Sequence, residues 1–159
     1  MKMLSTVPEG LEEIIEVYGD CHAADFIQEN IIWQRSPIVL RLSWAPDVRI
    51  GGFNCHRLIG PVVADAIAEI RDFGGIDFLR ENDYDLWGGC FNPRGKTGCG
   101  GPSTHSWGIS VDWCPALGPF GKPSKMPQFI VDAFVNRGFV WGGMWHPIDG
   151  MHFNGCAGY

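Results

Sequence analysis

Nothing in this sequence suits a membrane. No apolar run reaches the ~18 residues a span requires, and the first 20 residues carry Glu9, Glu12, Glu13 and Glu16 where a secretion signal would be apolar. The expectation is a protein made in the cytoplasm without a signal peptide, with no membrane insertion. A basic stripe is also missing: residues 1 to 93 hold 7 Lys and Arg against 15 Asp and Glu, and residues 94 to 159 hold 5 against 3, for a net charge of -6. That balance excludes a general nucleic-acid binder. The six cysteines (Cys21, Cys55, Cys90, Cys99, Cys114, Cys156) include no CxxC pair, which argues against a zinc ribbon. Their even number permits three disulfides, but without a secretion signal free buried thiols are expected. No glycine run gives GxGxxG after a strand or a complete GxxxxGK[ST] phosphate loop, so nucleotide binding has little support. There is no internal repeat and no low-complexity linker.

What is present is a globular composition, 45% hydrophobic and 19% charged, in 159 residues, the size of one domain able to bury roughly two thirds of its unfolded surface. Leu11, Ile14, Ile15 and Tyr18 fall at helical spacing between Pro8, placed at a first helical position, and Gly19. A second helix is expected over 23–33, with Asp20 as its cap. Ile38 to Leu42 alternates like a strand. Pro61 opens a third helix with Val63, Ala66, Ile67 and Ile70 on one face, ended by Gly74 and Gly75. A fourth runs from Pro127 to Gly138. Short strands are expected at 84–87, 108–113, 139–141 and 151–153. The prediction is an α+β domain, a small antiparallel sheet with helices packed on it.

The chemistry concentrates late. In STHSWGISVDW, a strand from Gly108 onward points Ile109, Val111 and Trp113 to one face and Gly108, Ser110 and Asp112 to the other, with His105 arriving from the preceding turn. In HPIDGMHFNG, a strand at 151–153 turns Met151 and Phe153 inward and His152 outward, with Asp149 three positions before it. Two histidines and one carboxylate on faces otherwise lined by small residues suffice to hold Zn2+ with a fourth position open to water. Asp149 is left over and suits a general base. An iron facial triad is the competing metal reading, but it begins His-x-Asp, and here the two are seven apart.

These residues resemble the zinc D-alanyl-D-alanine carboxypeptidases (VanY-like) and the related phage L-alanyl-D-glutamate endopeptidases, peptidoglycan peptidases of the hedgehog/DD-peptidase fold. The first family motif, SxHxxGxAxD, stands here as Ser103, His105, Gly108, Ser110 and Asp112. The second, Trp-Gly-Gly followed by DxMHFE, stands as Trp141, Gly142, Gly143, Asp149, Met151, His152, Phe153 and Asn154. Two departures are visible, Ser110 for alanine and Asn154 for glutamate. The resemblance covers about residues 35 to 155. It implies one zinc ion on His105, Asp112 and His152, Asp149 as catalytic base, and Arg94 meeting the substrate near the scissile carbonyl, a role suited to a guanidinium.

The resulting expectation is a single metallopeptidase domain over 1–159, with an N-terminal helical segment at 1–34 and a core with the zinc site at 35–159. The substrate is a peptidoglycan stem peptide, cut either at L-Ala-D-Glu or at D-Ala-D-Ala. With no export signal, the reading is a monomeric phage or prophage endolysin that reaches the cell wall after release, at host cell lysis. The alternative is a non-catalytic zinc-containing module of the same fold that binds cell wall or protein. Ser103, Trp107, Trp145 and His146 are candidates for substrate contact, and the five tryptophans from Trp87 to Trp145 are candidate walls of a glycan groove, although most are expected in the core. His22 and His56 are expected to be surface or core residues without a role in the site.

Overall fold

In a computed structural model, which describes residues 1–98 and 100–159, the largest element is a hairpin. Strand β1 (Ile31–Leu42) and strand β2 (Ala45–His56) pair antiparallel from Ile31 opposite His56 to Leu42 opposite Ala45, with register shifts near Pro37 and at the tip. A six-stranded sheet is completed by β3 (Leu86–Gly89), β4 (Ser110–Trp113), β5 (Val140–Trp141) and β6 (His152–Asn154), in the spatial order β2-β1-β3-β4-β6-β5. All neighbours are antiparallel except β1 and β3, which run parallel. The sheet is therefore largely antiparallel, as expected, with one parallel join. Arg41 holds the parallel pair: its guanidinium donates to the fully buried Asp85 at 2.5 and 2.9 Å, and to Asp83 at 2.9 Å. A buried carboxylate is tolerable here because its partner is a bidentate cation.

Four helices cover the sheet: α1 (Gly10–Tyr18), α2 (Phe26–Asn30), α3 (Gly60–Glu81) and α4 (Gln128–Val135). Val63, Ala66, Ile67 and Ile70 of α3 are fully buried, as their spacing requires. The first helical run ends at these glycines, as expected: Gly75 is non-helical (φ 80°, ψ 169°), and a second run carries the element on to Glu81. Arg137, just past α4, is buried and donates to Asp65 at 2.7 Å and Glu69 at 2.7 Å, joining α4 to α3.

The expected second helix shrinks to 26–30. Ile31 to Trp33, which continue its apolar phase, instead open β1, because the tertiary pairing with β2 outweighs local periodicity. Pro8 precedes α1 rather than opening it, and its carbonyl accepts from Ala157 N at 2.8 Å. The N-terminal segment is stitched to the end of the chain: Gly10 N donates to Ala157 O at 2.9 Å, and the buried Tyr18 hydroxyl donates to Gly155 O at 2.9 Å. Cys21, Cys55, Cys90, Cys114 and Cys156 are free thiols. Cys99 lies outside the described residues. No helix is long and apolar enough to cross a membrane, among the described residues.

Candidate metal centre

Asp112 on β4 and His152 on β6 are direct cross-strand partners, which puts both side chains on one face of the sheet. The opposite face of β4 behaves as alternation demands: Ile109, Val111 and Trp113 are all fully buried. His105 sits one turn upstream, in a 3₁₀ turn over Thr104–Trp107 capped by Ser103, whose Oγ accepts from His105 N at 3.3 Å. Gly108 then reverses the chain in the left-handed region (φ 66°). A Cβ there would lie 2.9 Å from His56 N, so the motif glycine meets both a conformational and a spatial demand.

Ring orientation sets the chemistry. Nδ1 of His105 lies 2.6 Å from the Cys90 carbonyl, an atom that only accepts, so Nδ1 carries the proton and Nε2 the lone pair. That Nε2 is buried without a hydrogen-bond partner, although it faces Asp112 Oδ2 at 3.2 Å. Two lone-pair atoms held face to face, away from water, repel one another unless a cation lies between them. The other carboxylate oxygen is 3.0 Å from His152 Nδ1, and the donor atoms of the three residues lie within 4.8 Å of one another. Burial works against ionisation of Asp112, yet the two imidazoles hold its carboxyl well below the usual carboxylate range. The residues fit a divalent ion of the kind that takes nitrogen and carboxylate ligands.

Asp149 lies in the loop before β6. The Trp-Gly-Gly segment holds it: Asp149 N donates to Gly142 O at 2.8 Å, and a Cβ on Gly142 would come within 2.5 Å of Asp149 O. Burial pushes its carboxyl above the ordinary value, and Oδ1, like His105 Nε2, is a buried polar atom without a partner. A cleft of about 400 Å³ opens beside it, lined by Arg94, Lys96, Trp145, His146, Asp149 and His152. Arg94 is exposed, and its guanidinium makes one long contact, 3.5 Å to Gly95 O; its main chain is pinned on both sides by Ser106 Oγ at 3.0 and 2.9 Å.

The expected site residues therefore divide. His105, Asp112 and His152 converge, with Asp149 and Arg94 on the rim of the same cleft. Trp145, half-buried with its ring 5.4 Å from that of His152, and the exposed His146 both line that cleft. Ser103 borders it as well, but its hydroxyl serves the His105 backbone. Trp107 does not reach it: the ring is buried in the core and donates to Gly19 O at 2.8 Å. Trp87 and Trp113 are core residues too. The fully buried His56 gives its Nε2 hydrogen to Tyr18 O at 3.0 Å and accepts from Leu58 N at 3.2 Å on Nδ1. The two departures from the motifs touch each other: Ser110 Oγ donates to Asn154 Oδ1 at 2.8 Å. Sequence reasoning missed the Cys90 carbonyl, which as a main-chain atom leaves no trace in residue type.

Residues 97–155 match the family model described as D-alanyl-D-alanine carboxypeptidase. This segment is similar to that family. It holds all three converging donors and Asp149, while Arg94 lies just outside it. No curated protein and no solved structure matches the chain.

Proposed function

We propose that the protein is a zinc-dependent peptidase that hydrolyses an amide bond of peptidoglycan stem peptides and works as an endolysin. The observation that carries the reading is the confrontation of His105 Nε2 with Asp112 Oδ2 at 3.2 Å, beside an unpartnered carboxylate on Asp149. A Zn2+ ion held by His105, Asp112 and His152 supplies Lewis acidity, bringing a water's pKa from about 15.7 toward ~7 and drawing electrons from a carbonyl oxygen. Asp149 accepts the proton of the attacking water and later hands it to the leaving amine. The buried, partnerless Oδ1 favours this role, since a carboxyl not already engaged by donors is free to take a proton. Arg94 offers its N–H groups to the carbonyl oxygen as that atom gains charge; loss of such a donor costs on the order of 3 kcal/mol of barrier.

Digestion of purified cell walls, with product masses read by mass spectrometry, tests the reading. Release of stem-peptide fragments, abolished by a chelator and restored by Zn2+, is the expected result. Binding to walls with no new amino groups, in protein carrying one equivalent of zinc, overturns it in favour of a binding module.

A further inference from the structure

Of the seven tryptophans, the two most exposed are the ones that lie outside the 87–145 segment: Trp33 at 61% and Trp44 at 66%. They differ in surroundings. Trp33 belongs to the outer end of the β1–β2 hairpin and packs over Gly52. Trp44 occupies the hairpin tip and borders a second cleft of about 390 Å³, whose far wall is His105 and Asp112. The metal-ligand trio thus has open space on two sides, and Arg94 lines both clefts.

The two sides differ in chemistry. Beside Asp149 stand Arg94, Lys96 and His146, basic groups suited to carboxylates, among Phe120, Trp145 and Tyr159. On the other side, apart from Arg94 and the ligands, the lining is Trp44, Phe91, Asn92 and the glycines Gly88 and Gly89, with no further charged side chain. A neutral surface made of an aromatic face, an amide and exposed peptide dipoles matches a hexopyranose, which presents axial C–H bonds on one face and hydroxyl and acetamido groups around its edge. The main chain that carries Trp44 is anchored: Ser43 N donates to Trp87 O at 2.9 Å, and Arg41 grips Asp85 two residues further back in the hairpin. An aromatic surface held before binding loses little freedom on contact.

We infer that Trp44 is a specificity-determining residue that stacks on the amino-sugar ring bearing the stem peptide, so that the glycan lies on the Trp44 side of the site and the acidic peptide runs toward Lys96. The inference rests on the peptidase reading and deepens it. The amide presented to Asp149 is then one close to the sugar.

Kinetics on two substrates, a disaccharide-peptide and the same peptide without sugar, test it. Trp44→Ala is expected to raise KM for the sugar-bearing substrate about tenfold with kcat kept, to leave the sugar-free peptide unchanged, and to be rescued by Trp44→Tyr. Equal losses on both substrates, or no loss on either, overturn the assignment. A second measurement needs no turnover: a peptide-free glycan oligosaccharide should perturb the tryptophan fluorescence of metal-free wild type and of Trp33→Ala, but not of Trp44→Ala. Wild type that binds the sugar yet cuts neither substrate refutes the peptidase reading alone. Wild type that cuts both equally and binds no sugar refutes this one.

Discussion

Acid should loosen this fold through His56. Its ring is fully buried, 5.0 Å from the Tyr18 ring and 6.2 Å from that of Phe26, and both nitrogens are committed: Nε2–H to Tyr18 O, Nδ1 to Leu58 N–H. A second proton must enter where Leu58 already donates, in a fully buried site. Burial accordingly lowers the His56 pKa from 6.5 to about 4. The unfolded chain binds the proton more readily between those values, so His56 favours the fold fully above pH 6.5, and that contribution drains away as pH falls toward 4. Over the whole window the loss is about 3 kcal/mol, and by pH 5 it is about 2 kcal/mol. Denaturant unfolding of chelator-treated protein at pH 7.5 and pH 5, wild type against His56→Gln, isolates this part, because every other titratable group is common to both proteins. The wild type should lose about 2 kcal/mol more than the variant between the two pH values. Parallel stability curves would refute the reasoning. His56 N also donates to Gly108 O at 2.9 Å, so acid should weaken the turn that carries His105 as well.

Other expectations concern the site and its supports. Asp149→Asn should keep one equivalent of metal by elemental analysis while turnover falls about 10²-fold or more, since the ligand set is intact and the proton acceptor is gone. Gly142→Ala, whose Cβ would press on Asp149 O at 2.5 Å, should cut turnover and lower Tm together. Ser110→Ala strips the buried Asn154 Oδ1 of the Ser110 donor and should cost about 1–3 kcal/mol in denaturant unfolding. Arg137→Met takes the guanidinium from Glu69 and leaves Asp65 with the Lys2 main-chain donor, and should cost about 3 kcal/mol by the same assay, less than a fully buried pair would because both acids are partly exposed.

The site was more legible in the sequence than the scaffold, for physical reasons. A motif such as SxHxxGxxxD fixes a 3₁₀ turn, a left-handed glycine and a strand face within ten residues, so Ser103, Gly108 and Asp112 report their geometry locally. The β1–β2 hairpin hides from that kind of reading. Pro37 and Pro46 look like breakers, Gly51 and Gly52 look like loop, and Ile31 to Trp33 fit a helical phase as well as a strand. Its order comes from partners such as Ile31 with His56. The parallel join of β1 to β3 rests on Arg41 and Asp85, 44 residues apart, a separation no local pattern can register. Only Ile38 to Leu42 of the hairpin shows in local alternation, which leaves the position of Trp44 illegible, and Trp107, a candidate for substrate contact, is absorbed by the core.

The sheet is not assembled in the order in which it is synthesised. Strand β6, drawn from residues 152–154, is flanked by β4 on one side and β5 on the other. A polypeptide that ends between residues 113 and 151 holds His105 and Asp112 but not His152, and has a gap in its sheet between β4 and β5. The interior place of this late strand therefore makes completion of the candidate metal centre coincide with completion of the sheet.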